Sequence, residues 1–173
     1  MEIIGDLVKI LLPAAAVLYG MFLTIKSFLN KDFEKRLVDI RIKNNELVLP
    51  IRLQAYERMA LFLERISPHN LVLRVNEPVY NVAQLHQRLL LEVREEYNHN
   101  LSQQVYMSEQ AWSYIKNAME EVVVLINKSS EAIAPDAKGI ELAKMIFENL
   151  VQKSEDPVSK ALKFIKQEIQ QVF

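Results

Sequence analysis

The feature that most constrains this chain is an uncharged run of sixteen residues, ILLPAAAVLYGMFLTI, at Ile10–Ile25. Roughly 20 apolar residues in a helix suffice to cross the hydrocarbon core of a bilayer. The run reaches that length if Asp6 and Lys9 lie at the headgroup level, where two charges on one helix face can pair or snorkel. We therefore predict a transmembrane anchor over residues 1–25, with membrane contact through residues 3–25.

Two alternatives to an anchor stay open, a cleaved signal peptide and a buried core helix. A signal peptide begins with basic residues and ends with small ones. Here Glu2 and Asp6 stand at the start, the alanines at 14–16 lie inside the run, and Lys26 follows it. Pro13 would weaken a helix buried in a soluble core, but it is tolerated near the end of a membrane span.

The flanks of the run predict its orientation, because basic residues prefer the cytoplasmic side. Six basic residues follow it: Lys26, Lys31, Lys35, Arg36, Arg41 and Lys43. We predict a single-pass membrane protein with its N-terminus outside and its body in the cytoplasm. Residues 26–49 are predicted to form a helical stalk; attraction to anionic lipid is a second interpretation, and a hairpin around Asn44–Asn45 a third.

Residues 50–173 are predicted to form a cytoplasmic helical domain of about five helices, so the fold class is mainly α. Apolar residues recur at steps of three and four, and the helix that we expect to begin at Pro50 carries two adjoining apolar stripes. Ser108, Asp136 and Asp156 are predicted N-caps. An alternative includes one two-stranded β pairing, between Leu71–Val75 and residues 104–107. Phe62, Trp112 and Phe147 are expected to fill the core.

Composition excludes several kinds of chemistry. The formal net charge is −1, and the chain has no Cys and only three Gly. A charge-balanced body argues against nucleic-acid binding, the absence of Cys excludes disulfides and thiolate sites, and no glycine-rich phosphate loop occurs. We predict no cofactor, no small-molecule substrate and no enzymatic activity.

One local pattern resembles part of a metal site. Glu96 and His99 are three residues apart on a predicted helix, which is half of a di-iron carboxylate constellation. The other histidines, His69 and His86, have no Glu three residues before them, so the second half is missing. A turn-capping His69 and a core or boundary His86 are the structural interpretations.

Arginine and aromatic residues together are frequent at the centres of protein interfaces. The predicted contact residues lie on helices 51–66 and 112–126: Arg52, Tyr56, Arg58, Phe62, Arg65 and Trp112. The alternative is a helix whose charges are solvated and whose aromatics fill the core. The leading functional hypothesis is a membrane-anchored interaction or scaffold module that binds a protein partner or a second copy.

Two further hypotheses remain. One is an accessory subunit of a larger membrane complex, because small residues at 14–16 and 20 allow close helix approach. The other is a metal-dependent enzyme built around Glu96 and His99. The stretches LPIRLQAYERMALFLERISPHNLVLRV and YNHNLSQQVYMSEQAWSYIKNA resemble an uncharacterised family of short bacterial single-pass membrane proteins, up to about Lys128. That resemblance implies bacterial origin, attachment to the bacterial inner membrane and a helical cytoplasmic domain, and it adds no chemistry.

Overall fold

The computed structural model describes residues 2–152 and 156–172, apart from the side chains of residues 2–10, 12–14, 44, 45 and 172. The helices are α1 (Glu2–Ile66), α2 (Pro68–Val75), α3 (Val82–Asn100), a 3₁₀ helix (Leu101–Tyr106), α4 (Glu109–Glu131), α5 (Gly139–Val151) and α6 (Pro157–Val172). No strand occurs among the described residues, where an isolated antiparallel bridge pairs Asn81 with Lys138. The mainly α prediction is confirmed.

The chain divides into two compact units, Met1–Leu49 and Pro50–Phe173. The predicted anchor over residues 1–25 lies partly outside the described side chains, which begin at Leu11 and resume at Ala15. Within the described part of the chain, no helix combines the length and the apolar character that a membrane crossing requires.

Helix α1 corrects two predictions. Asn44–Asn45 lie within α1, so the hairpin is wrong. Pro50 also lies within α1, and not at a helix start. A proline in a helix interior removes one backbone hydrogen bond and crowds the carbonyl four residues earlier, but its fixed φ lies close to the helical value, and α1 continues through Pro50.

On α1 and α4, the core of the second unit lies on the faces that the apolar spacing predicted. Met59, Phe62, Leu63 and Ile66 of α1 are fully buried. Helix α4 packs against α3, α5 and α6, and its buried face carries apolar side chains at helical spacing, among them Ala111, Ile115, Ala118, Val122 and Ile126. Trp112 and Phe147 are only partly buried against this core.

The predicted strand at Leu71–Val75 is wrong, because these residues belong to α2. Ser67 is extended and Pro68 occupies the first helical turn, where its missing N–H costs nothing. Leu71, Val72 and Val75 are buried, which is the spacing of a helix face and not the alternation of a strand. The predicted mate at residues 104–107 lies at the end of the 3₁₀ helix.

Two predicted caps are confirmed. The backbone N–H of Ala111 donates to Oγ of Ser108 at 3.0 Å, and that of Ser159 donates to Oδ2 of Asp156 at 3.1 Å. Helix α3 has a reciprocal cap, in which the Asn81 side chain and the backbone N–H of Gln84 pair at 2.9 Å while Oε1 of Gln84 accepts from the backbone N–H of Asn81 at 3.1 Å.

The predicted cap at Asp136 is wrong, because α5 begins at Gly139. The reason is a tertiary contact: the backbone N–H of Gly139 donates to the carbonyl of Tyr80 at 2.9 Å, and that of Val82 donates to the carbonyl of Ala137 at the same distance. A Cβ on residue 139 would lie 2.9 Å from the Tyr80 carbonyl oxygen. The segments around Tyr80 and Gly139 therefore meet at a site that only glycine fits.

Candidate interaction site

A groove of about 630 Å³ runs between the end of α1 and α3 in the second unit. Its lining residues are Arg58, Leu61, Phe62, Arg65, Glu92, Glu95, Glu96, His99 and Asn100. We call this surface the α1–α3 groove. It brings together three of the six predicted contact residues and both members of the predicted metal half-site.

Helix periodicity builds the α1 wall. Arg58, Leu61 and Arg65 follow one another at steps of three and four, so they lie on one face of the helix. All three are exposed, and Leu61 is 57% exposed. Phe62 is fully buried, so it forms the floor of the groove from the core side. An exposed leucine between two arginines is the apolar centre of this wall.

Ion pairs hold the α3 wall. Nε of Arg65 donates to Oε1 of Glu96 at 2.6 Å across the groove. Glu92 accepts from Arg74 at 2.5 Å and from Arg88 at 3.1 Å. Exposed or partly exposed pairs of this kind contribute about 0–1 kcal/mol each, so they orient side chains more than they stabilise the fold.

Three charged or titratable groups of the groove have no partner among the described residues. Arg58, Glu95 and His99 are exposed, and no hydrogen bond or ion pair joins any of them to a described residue. A cation on one wall and a carboxylate with an imidazole on the other therefore face solvent.

An aromatic row supports the groove from behind. The ring centroids of Phe62 and Tyr97 are 6.1 Å apart, and those of Tyr97 and Trp112 are 5.8 Å apart in a stacked arrangement. Such separations are favourable for aromatic pairs. Trp112, predicted as a contact residue, is thus partly buried and stacks on Tyr97 of α3.

The remaining predicted contact residues lie elsewhere. Nε of Arg52 donates to the Tyr106 carbonyl at 3.3 Å. Tyr56 is only 3% exposed, and its hydroxyl donates to Oε1 of Glu168 at 2.9 Å. Burial raises the pKa of Tyr56 above its ordinary value, and the hydrogen bond and negative charge of Glu168 raise it further. Tyr56 is therefore a buried side chain and not a surface contact in this fold.

The metal half-site finds no complement. Glu96 and His99 both line the groove, but the described residues contain no group of three or more His, Asp or Glu side chains placed to hold a metal ion. Nε2 of His86 lies 2.8 Å from Oδ1 of Asn127, so the boundary interpretation of His86 is confirmed. His69, which was predicted to cap a turn, is exposed, and its ring centroid lies 5.8 Å from that of Phe147.

Leu61 and Glu92 are groove residues that the sequence did not single out. Leu61 could have been found from its position, because it falls outside both apolar stripes of its helix and lies between Arg58 and Arg65. The contribution of α3 could not, since nothing local shows which of its faces meets α1. The groove is thus a property of the packed body.

Comparison with known proteins gives a family but no activity. Neither the curated proteins nor the solved structures contain a match to this chain. The predicted resemblance is confirmed in one respect, which is that the family is uncharacterised. A family model matches residues 2–172, and the chain accordingly belongs to a family of unknown function, DUF7935.

Proposed function

We propose that this protein is a non-enzymatic, membrane-anchored helical module that binds a protein partner through the α1–α3 groove. The anchor is residues 1–25, residues 26–49 form the stalk, and residues 50–173 form the body. Its place is the bacterial inner membrane, with the N-terminus outside and the body in the cytoplasm. The observation that carries the binding role is the exposed Arg58, which has no partner among the described residues, beside the exposed Leu61.

The anchor is supported by the absence of charge from Ile10 to Ile25. In α1, the described side chains of that run include large apolar groups at consecutive positions, so they cover every side of the helix: Val17, Leu18, Tyr19, Met21, Phe22, Leu23 and Ile25 are all 46% or more exposed. A helix that is apolar all round is typical of a membrane span. The basic residues after the run support the orientation.

The partner that the groove would recognise follows from the groups that pair with nothing in the described part of the chain. A carboxylate would pair with Arg58, an apolar side chain would cover Leu61, and a cation would pair with Glu95. A helical or extended segment that carries these three groups in sequence fits such a surface. Confinement to a membrane raises local concentration, so that modest contacts of this kind suffice.

Site-specific photocrosslinking of the full chain in cells tests the groove. A photoreactive amino acid replaces Leu61, and in a matched chain it replaces Val124 of α4, which is 60% exposed. We expect a discrete crosslinked protein from position 61 that is absent from position 124. The Arg58→Glu change should abolish that band, because it reverses the charge that the partner meets.

The Lys144→Glu change is the charge-matched control, because Lys144 is exposed on α5 and has no partner among the described residues. It should leave the crosslink from position 61 intact. Equal crosslinking from both photoreactive positions would contradict the proposal, as would a band that survives Arg58→Glu.

Protease access tests the orientation. Inverted membrane vesicles expose the cytoplasmic face, so an added protease should digest the body there, and it should leave the body intact in right-side-out vesicles. Digestion in right-side-out vesicles alone would reverse the assigned topology.

The second candidate, an accessory subunit whose anchor packs on other membrane helices, is supported by Gly20. A Cβ built at Gly20 meets no described atom within 4 Å, so the helix surface there is open to a close neighbour. The Gly20→Leu change separates the two candidates. It should disrupt copurification of a complex held by the anchor, and it should leave the groove crosslink unchanged.

A further inference from the structure

Residues 29–48 of α1 carry an apolar stripe that no part of the first unit covers among the described residues. Its members are Leu29, Phe33, Leu37, Ile40, Leu47 and Val48. We call it the stalk stripe. Every member is between 42% and 71% exposed. At about 100° per residue, all six fall within one sector about 100° wide, so the stripe is a seam along one side of the stalk.

The spacing of the seam is that of a coiled coil. Phe33, Ile40 and Leu47 are seven residues apart, so they share one inward position of a seven-residue repeat, and Leu37 occupies the other inward position. Leu29 and Val48 flank the seam. The inward position before Phe33 is Asn30 and the one between Ile40 and Leu47 is Asn44.

Charges flank the seam and do not interrupt it between residues 29 and 48. Arg36 pairs with Asp32 of its own helix, with 2.9 Å between Nε and Oδ2, so its charge is already partly met. Repulsion between copies on that side is thereby reduced. A seam with this repeat is complementary to an identical seam, because knobs at inward positions fill the holes between the same positions of a neighbour.

We propose that the occupant of the stalk stripe is the stalk stripe of a second copy, in parallel orientation and matched register. A parallel pair places each Asn30 opposite its equivalent, and an inward asparagine is a known determinant of register. Covering six such side chains on each of two copies removes on the order of 1,000 Å² of apolar surface from water, which approaches the size of a specific interface. The inference rests on neither the anchor nor the groove.

Engineered cysteines in the full chain test the proposal, and the chain supplies a clean background because it has no Cys. Ile40 and Ile42 are a matched pair, 55% and 50% exposed, and they point about 200° apart on the helix. Under mild oxidation, the Ile40→Cys chain should form a disulfide-linked dimer on the order of 10²-fold faster than the Ile42→Cys chain, because the seam holds its thiols together.

The orientation has its own variants. Phe33→Cys and Leu47→Cys should each link to their own equivalents in a parallel assembly, whereas an antiparallel one would link Phe33→Cys to Leu47→Cys in a mixed sample. The Ile40→Asp change should dissociate the assembly in light scattering, and Ile42→Asp should not. Equal crosslinking rates at positions 40 and 42, a monomeric wild-type chain, or links only in the mixed sample would each overturn the proposal.

Discussion

Residues 2–49 and the described part of residues 50–172 are both mainly helical and both rich in apolar side chains, but the exposure of those side chains differs. In the first region, Phe22, Phe28 and Phe33 are all more than half exposed. In the second, the apolar residues of five α-helices and the end of α1 enclose a core in which Phe62 is fully buried. Apolar content therefore does not decide whether a helix has its own core. What decides it is whether other helices of the same chain pack against its apolar face, as α2–α6 do against the end of α1.

The largest expected effect comes from the body. The Phe62→Ala change removes a fully buried ring, so it should lower the free energy of unfolding of the body by about 3–5 kcal/mol. Denaturant unfolding of the full chain, followed by the fluorescence of Trp112, measures this because Trp112 is the single tryptophan. The neighbouring Leu61→Ala change, at an exposed position, should cost less than about 0.5 kcal/mol. Equal losses would mean that the core face is wrongly assigned.

The next effect tests a polar contact across the body. The Tyr56→Phe change removes the donor to Glu168, whose other carboxylate oxygen is buried without a partner among the described residues. We expect a loss of about 1–3 kcal/mol near pH 7. The loss should be absent if Tyr56 were exposed and unpaired.

The difference in the free energy of unfolding between wild type and Tyr56→Phe should depend on pH. The pKa of Tyr56 is raised in the folded state, so folding favours the protonated hydroxyl. The advantage is complete below the ordinary tyrosine pKa of about 10 and is lost as the pH rises through the folded value. The gap between wild type and Tyr56→Phe should therefore be constant from pH 7 to about pH 9 and narrow above about pH 10. A gap that widens there would reverse the sign of the assigned shift.

Sequence reasoning succeeded where structure is local. The caps at Ser108 and Asp156 depend on residues a few positions away, and the core faces of α1 and α4 depend on spacing within one helix. It failed where distant contacts decide. Leu71–Val75 has β-forming residues, but burial of Leu71, Val72 and Val75 on one side selects a helix.

The candidate site divides in the same way. Arg58 and Arg65 could be proposed from composition, because arginines beside aromatics are typical of interfaces. Their opposite wall on α3 could not, since Arg65 and Glu96 are 31 positions apart and meet only when the helices pack. The aromatic residues predicted with them, Tyr56 and Phe62, are buried. They lie at the apolar positions of the helix repeat, which face the core.

A smaller effect tests a cap. The Asn81→Ala change removes one half of the reciprocal cap of α3 and should cost about 1 kcal/mol. Asn81→Asp keeps an acceptor oxygen at the same place and should recover most of that loss. Thermal unfolding of the two variants side by side measures the difference, and indistinguishable midpoints would exclude a role for the side-chain acceptor.

The smallest effect belongs to the stalk. Phe33→Ala is the same chemical change as Phe62→Ala, but Phe33 is 64% exposed. It should change the free energy of unfolding reported by Trp112 by less than about 0.5 kcal/mol. A loss comparable to that of Phe62→Ala would show that the stalk shares the core of the body, and the contrast between the two regions would fail.

Membrane extraction tests whether lipid covers the exposed apolar side chains of the first region. Membranes from bacteria that express the full chain are washed with high salt and then with alkaline carbonate, which removes peripheral proteins. We expect the full chain to stay in the membrane pellet, and a chain that lacks residues 1–25 to appear in the soluble fraction. Recovery of the full chain as a soluble monomer without detergent would contradict the proposed anchor.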